Sequence, residues 1–412
     1  MKIPTDLRAE IRWLSSGFLL MLYSGFGQTY YIAVFAGQLK SELTLTDGEF
    51  GGLYTIGTLA SAALLTWAGR LADTISIRWL GAGVIAGLAV TSAAMALATT
   101  PLMLAAVLFG LRFFGQGMCT HTAMTAMGRW FNRKRGRAVS IAGLGLPASE
   151  AVLPALAVAA SALVGWRQTW LASSALLLVA ALPAFVVLLE HERHPTRGPM
   201  AAAASDPASA RHHWTRSEVL RDARFYGLLP GLLAPPFIVT AIFFNQVTLV
   251  DLKQWDLAWF AATFPLLAGV HVIAALAAGW LVDRFGARRL LPVYLLPLGL
   301  ASLLLAAAAS PYLLPVAMVL IGFTLGGAAA TSGALWAELY GTEHLGAIRS
   351  VTTAIVVLST AVAPGLVGVL LDRGVELDLQ LGAMAAYCLA AAIWLMCLAP
   401  QLDRLASADR PR

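Results

Sequence analysis

Twelve apolar stretches, each long enough to cross the hydrocarbon of a bilayer, fill most of this chain. They run over roughly 13–37, 49–71, 79–98, 102–127, 137–163, 166–189, 225–250, 257–282, 289–309, 312–338, 347–371 and 378–399. A crossing helix needs about 20 apolar residues. Lipid offers backbone N–H and C=O groups no partner, so each run must close its own hydrogen bonds and is read as a helix. Composition agrees, with 59% of the 412 residues hydrophobic, 12% charged and a mean hydropathy of +0.75. A soluble domain carries about a quarter charged residues, so this chain has too little polar surface to face water. The expected fold is an all-α polytopic membrane protein, with twelve transmembrane helices in two pseudo-symmetric six-helix bundles.

The net charge of +6 comes from 28 Lys and Arg against 22 Asp and Glu. Its distribution argues against a nucleic-acid partner. Lys40, Arg167, Lys253 and Arg373 fall on one side of the predicted topology. Arg112 lies inside a helix, and every other Lys and Arg falls on the side of the termini. The side rich in Lys and Arg is cytoplasmic, which puts both termini inside and the chain in the plasma (inner) membrane. The segment Met1–Trp13 mixes acids with bases and leads into a run too long for a signal-peptide core, so it reads as a retained first helix.

Residues 191–222 form the longest connection and are polar, Pro-containing and low in complexity. They divide the chain into an N-terminal bundle (1–190), a cytoplasmic linker (191–222) and a C-terminal bundle (223–412). His191, His194, His212 and His213 lie in this linker and read as solvated residues rather than a metal site. Cys119, Cys388 and Cys397 show no metal-ligand spacing and read as free thiols. No cofactor is implied.

A short charged motif follows the second and the eighth runs. It begins Gly69-Arg-Leu-Ala-Asp73, with Arg78 downstream, and recurs as Gly279-Trp-Leu-Val-Asp283-Arg284-Phe-Gly286-Ala-Arg288-Arg289. The first copy is degraded, with Thr74 and Ser76 where the second has Arg284 and Gly286. An aspartate at a helix end can accept from the N-terminus of a neighbouring helix and from nearby arginines, which would latch the halves in one state. Twelve helices, a central linker and this repeat resemble the major facilitator superfamily. The resemblance implies secondary transport by alternating access, with a small-molecule substrate and a monomeric unit.

A finer resemblance is to bacterial relatives of the monocarboxylate and oxalate–formate transporters. It rests on Gly128-Arg-Trp-Phe-Asn-Arg-Lys-Arg-Gly136, Pro147, Pro154, Gly165-Trp-Arg, and Ala337-Glu-Leu-Tyr-Gly341 followed by Gly346, Pro364, Gly365 and Asp372. It implies an organic anion. Those transporters carry a basic residue on the eighth or eleventh helix, and none is expected within either helix here.

Ionisable residues inside a bilayer are costly and mark functional sites. Arg112 and Glu150, on the fourth and fifth helices, lie about 22 and 20 Å from the cytoplasmic end at 1.5 Å per residue, a depth at which they can pair. Arg112 then reads either as half of a structural ion pair or as the anchor of a substrate carboxylate, and Glu150 as the proton-coupling group. Helical spacing aligns Gln116 and Cys119 or Thr120 with Arg112, and Ser24, Gln28 and Tyr31 with one another. Both stripes are expected to face a cavity. His271, in the eighth helix, is a second proton or substrate site, or a packing residue. Pro230, Pro235 and Pro236 bend the seventh helix ahead of Asn245 and Gln246, which read as site or outer-gate residues. Trp336 reads first as an interface anchor and second as a gate.

The leading expectation is a proton-linked transporter of a small, monocarboxylate-like organic anion. A proton-coupled exporter of apolar or cationic compounds, with Tyr23, Tyr31, Phe243 and Phe244 lining its pocket, is the first rival. A membrane sensor or scaffold is the second. No nucleophile motif or phosphate loop points to an enzyme.

Overall fold

The computed structural model describes residues 5–131, 135–191, 214–341 and 343–408. His194, His212 and His213 lie outside them. The described residues are helical and contain no strand. Eleven helices are long and apolar enough to cross a membrane, or twelve when a bent pair counts as one span.

That pair, Glu10–Gly27 with Thr29–Leu43, is bent by 42° and is called α1 here. The others are α2 (Asp47–Ala68), α3 (Ile77–Ala96), α4 (Pro101–Trp130), α5 (Gly136–Val164), α6 (Trp166–Leu188), α7 (Ala223–Phe244), α8 (Leu257–Phe285), α9 (Ala287–Ala307), α10 (Pro311–Tyr340), α11 (Leu345–Asp372) and α12 (Leu377–Leu402).

Local chemistry sets several of the ends. Thr46 and Glu49 form a reciprocal capping box at the start of α2. Thr100 accepts from the Met103 N–H ahead of Pro101 in the first turn of α4. Gly286, at φ +86°, makes the turn into α9 in a conformation that disfavours a side chain.

Contacts group the chain into two compact units. The first comprises Met1–Thr196 with Phe243–Pro265 and Pro364–Asp372. The second comprises Arg197–Ile242, Leu266–Ala363 and Arg373–Arg412. The ends of α7 and α11 away from the termini, and the start of α8, thus belong to the first unit.

Helices in lipid gain little from the hydrophobic effect, so close backbone approach matters more. In the first unit a Cβ on Gly115 of α4 would stand 2.6 Å from the Gly27 Cα of α1. Gly115→Leu is therefore expected to destabilise the protein by about 1–3 kcal/mol through overpacking. A lowered thermal-unfolding midpoint in detergent would show it, and an unchanged midpoint would contradict the packing. In the second unit, Pro235 removes the N–H that would serve the Gly231 carbonyl. The Tyr294 hydroxyl donates to that carbonyl instead, at 3.3 Å.

Candidate functional site

The expected polar stripe on α1 depends on regular helical spacing, and α1 does not keep it. Gln28 is extended (φ −86°, ψ 155°) between two helical segments. The Tyr31 N–H bonds to the Gln28 carbonyl at 3.2 Å rather than to Gly27. The Gly27 carbonyl instead accepts from Arg112 Nη1 at 3.1 Å.

Arg112 is 1% exposed. Its guanidinium carbon stands 5.2 Å from the centre of the Tyr54 ring, a cation–π contact. The Tyr54 hydroxyl is 2.6 Å from Thr29 Oγ1. Among the described residues Arg112 makes no ion pair, with Glu150 or any other acid. A broken helix supplies a backbone oxygen, and the buried cation takes it. Arg112→Ala removes a charge-assisted bond worth about 1.5–3 kcal/mol and strands a buried carbonyl. A marked drop in thermal stability is expected, and wild-type stability would contradict this role.

On α4 the spacing is also irregular. Leu111–Cys119 is π-helical, and its wider turn keeps Arg112 and Gln116 near one face while carrying Cys119, seven residues on, away from it. Gln116 is half-buried, Cys119 is fully buried and Thr120 folds its hydroxyl back onto the Gln116 and Gly117 carbonyls. On α1, Ser24 donates to the Met21 carbonyl at 2.6 Å, and Gln28 is half-buried. Tyr31 packs edge-on to Trp170, its hydroxyl 2.6 Å from Ser173 Oγ.

Glu150 is buried on α5. It lies within electrostatic reach of Tyr30, whose hydroxyl is 2.5 Å from Oγ of the adjacent Ser149. Asn245 and Gln246 lie just past α7, in the first unit, and both are buried. Gln246 Nε2 donates to the Tyr30 carbonyl at 3.0 Å. Phe243 packs on Phe264, and Phe244 on Phe50 and Tyr54.

The motif residues engage their own unit. The Gly69 carbonyl is 3.0 Å from His121 Nε2, and Arg129 donates to the Ala72 carbonyl. The Asp73 side chain lies outside the described residues. Arg78 reaches the Glu190 carbonyl at 3.5 Å and stands over the Trp79 ring. In the second copy Gly279 faces open space, and Asp283 and Arg289 are exposed. Arg284 lies over the Trp280 and Phe285 rings. It is Glu338 of α10 that accepts from the Ala287 N–H at 2.6 Å, beyond Gly286, and pairs with Arg288 at 3.3 Å.

The second unit holds a cavity of about 520 Å³. Leu229, Leu232, Pro235 and Pro236 give it an apolar wall on α7, and His271 enters from α8. Tyr294, Ser332 and Trp336 contribute from α9 and α10, and Arg349, Thr352 and Thr353 from α11. No carboxylate is among the described lining residues.

Two readings of the sequence are corrected here. Arg349, at the edge of the eleventh apolar run and read there as a charge on the side of the termini, stands inside α11 (Leu345–Asp372) and lines the cavity, where no basic residue was expected on the eleventh helix. A charged residue at the edge of an apolar window looks like a loop residue in sequence. Trp336 is 3% exposed, packed on Phe225 and Tyr340, and is therefore a cavity wall rather than an interface anchor. Arg349 itself is exposed, and one of its amino groups donates to the Gly333 carbonyl.

No described group of three His, Cys, Asp or Glu could hold a metal, and Cys119, Cys388 and Cys397 are all free. The cavity sets a cation, an imidazole and hydroxyls in apolar walls.

Comparison with known proteins gives a consistent answer. The chain is 23% identical over 351 residues to the MFS transporter asaE of Aspergillus flavus, covering 79% of this chain and 72% of that protein. Its fold matches a bacterial homolog of the human lysosomal transporter Spinster, solved in an inward-facing, occupied conformation. That match has a TM-score of 0.67 at 16% identity and covers 100% of both chains. It also matches the nucleoside transporter NupG, with a TM-score of 0.68 at 14% identity over 94% of this chain and 98% of that one. The sequence profile of the Major Facilitator Superfamily matches residues 17–273 and 257–412. With nearly the whole chain covered by that profile, the protein belongs to the Major Facilitator Superfamily of membrane transporters.

Proposed function

We propose that the protein is a proton-linked secondary transporter of a small organic anion, working by alternating access as a monomer. One observation carries the choice of cargo: an arginine and a histidine reach a cavity whose described lining has no acid. Arg349 supplies the fixed positive charge, and His271 with the α11 hydroxyls supplies further hydrogen-bonding groups. The apolar wall of α7 receives the carbon skeleton. A guanidinium takes a carboxylate through two parallel hydrogen bonds, which fixes orientation as well as charge. A monocarboxylate-like cargo fits this chemistry. A cationic cargo would meet Arg349 without a compensating acid, which weighs against the exporter reading.

Arg112 then supports the break in α1, and Glu150, buried beside the Tyr30–Ser149 contact, is the proton-coupling group. The concentration of Lys and Arg at the end bearing the termini sets the topology, with both termini cytoplasmic in the plasma (inner) membrane.

Ligand-induced thermal shift on the purified protein tests the cargo class, because a bound ligand stabilises by mass action. Lactate and benzoate are expected to raise the unfolding midpoint, while benzamide and tetraethylammonium leave it unchanged. Stabilisation by tetraethylammonium and not by either carboxylate would overturn the anion assignment.

A further inference from the structure

At the end of the first unit away from the termini, Asp372 closes α11 and presents its Oδ2 to the start of α2. Thr46 Oγ1 donates to it at 2.7 Å, and the Gly48 N–H at 3.0 Å. The first N–H groups of a helix have no partner within it, and its N-terminus favours negative charge. Thr46 caps its own helix by accepting from the Glu49 N–H at 3.1 Å. The Gly48 N–H is served by a carboxylate 324 residues further on.

Glycine makes the approach possible. A Cβ on Gly51 would come within 2.7 Å of the Pro364 carbonyl carbon, and one on Gly368 within 2.6 Å of the Asp47 carbonyl carbon. Beside this seam, Lys40 Nζ donates to Asp47 Oδ1 at 2.6 Å and to Thr248 Oγ1 at 3.1 Å. Polar contacts thus tie the start of α2 both to the last turn of α11 and to the segment after α7.

We propose that Asp372 is the holding residue of a gate at the end away from the termini. Its two hydrogen bonds seat α11 on the N-terminus of α2, and both must break for that end to open. The inference rests on the transporter reading only in requiring that this end opens at all.

The test needs no cargo. Spin labels at Ile56→Cys on α2 and Leu366→Cys on α11, both exposed positions, report the separation of the two helices in nanodiscs. The background is Cys397→Ser, since Cys119 and Cys388 are buried. Asp372→Ala is expected to raise the ratio of long to short distances at least about fivefold, which counts its two partly exposed carboxylate bonds as no more than one ordinary hydrogen bond. Asp372→Glu, which keeps the carboxylate, is expected to restore most of the short population. Gly368→Ala, which wedges the same seam, is expected to shift the ratio in the direction of Asp372→Ala, and carries the test if that variant fails to fold. Distance distributions in Asp372→Ala and Gly368→Ala that superimpose on the parent would overturn the gate. A protein that binds no carboxylate yet shows the shift would refute the cargo assignment and leave the gate standing.

Discussion

Replacing Arg349 by glutamine is expected to weaken carboxylate binding by about 10- to 100-fold, the equivalent of one charge-assisted hydrogen-bonded contact. The overall stability of the protein should hardly change. Arg349 is exposed, so its removal leaves no buried charge without a partner. Calorimetric titration of benzoate into wild-type and variant protein measures the effect. Arg349→Lys should recover part of the affinity, because an ammonium keeps the charge but loses the planar fork. Unchanged affinity in Arg349→Gln would remove the cavity from the account.

The second large effect is expected at Glu150, where the Gln variant should uncouple cargo from protons. With one proton carried per anion, a gradient of one pH unit supports about tenfold accumulation. Glu150→Gln should lose that accumulation while still exchanging labelled for unlabelled cargo at equal pH. Retained pH-driven accumulation would mean that the proton is carried elsewhere, with His271 the next residue to test. Loss of both accumulation and exchange would point to a structural role beside Tyr30 and Ser149.

The architecture was legible because lipid leaves a chain few options. Span length, the distribution of Lys and Arg and the repeated charged motif all follow from constraints that act on sequence directly. The ionisable residues were legible too, since Arg112 and Glu150 stand alone in long apolar runs, and both are buried. What they contact was not. The partner of Arg112 is a backbone carbonyl, released by a break at Gln28 that no side chain announces. The stripe through Gln116 assumed regular α-helical spacing, and the π-helical turns of α4 shifted it.

Arg349 was missed because it stands at the edge of its apolar run, where a charge that sets topology and a charge that enters a cavity look the same in sequence. The Asp372 contact joins positions 324 residues apart through a main-chain donor, so nothing in the local pattern of either segment signals it. The glycines at 48, 51, 365 and 368 were the available signal, as pairs three apart on two helices that pack together.

The most direct measurement is uptake of labelled benzoate into proteoliposomes holding the purified protein, with the outside more acidic than the inside. The account predicts an initial rate of uptake above that of protein-free liposomes, the excess abolished by a protonophore and by Arg349→Gln, and reduced to simple exchange by Glu150→Gln. An excess that ignores the protonophore, or that survives Arg349→Gln in folded protein, would contradict it.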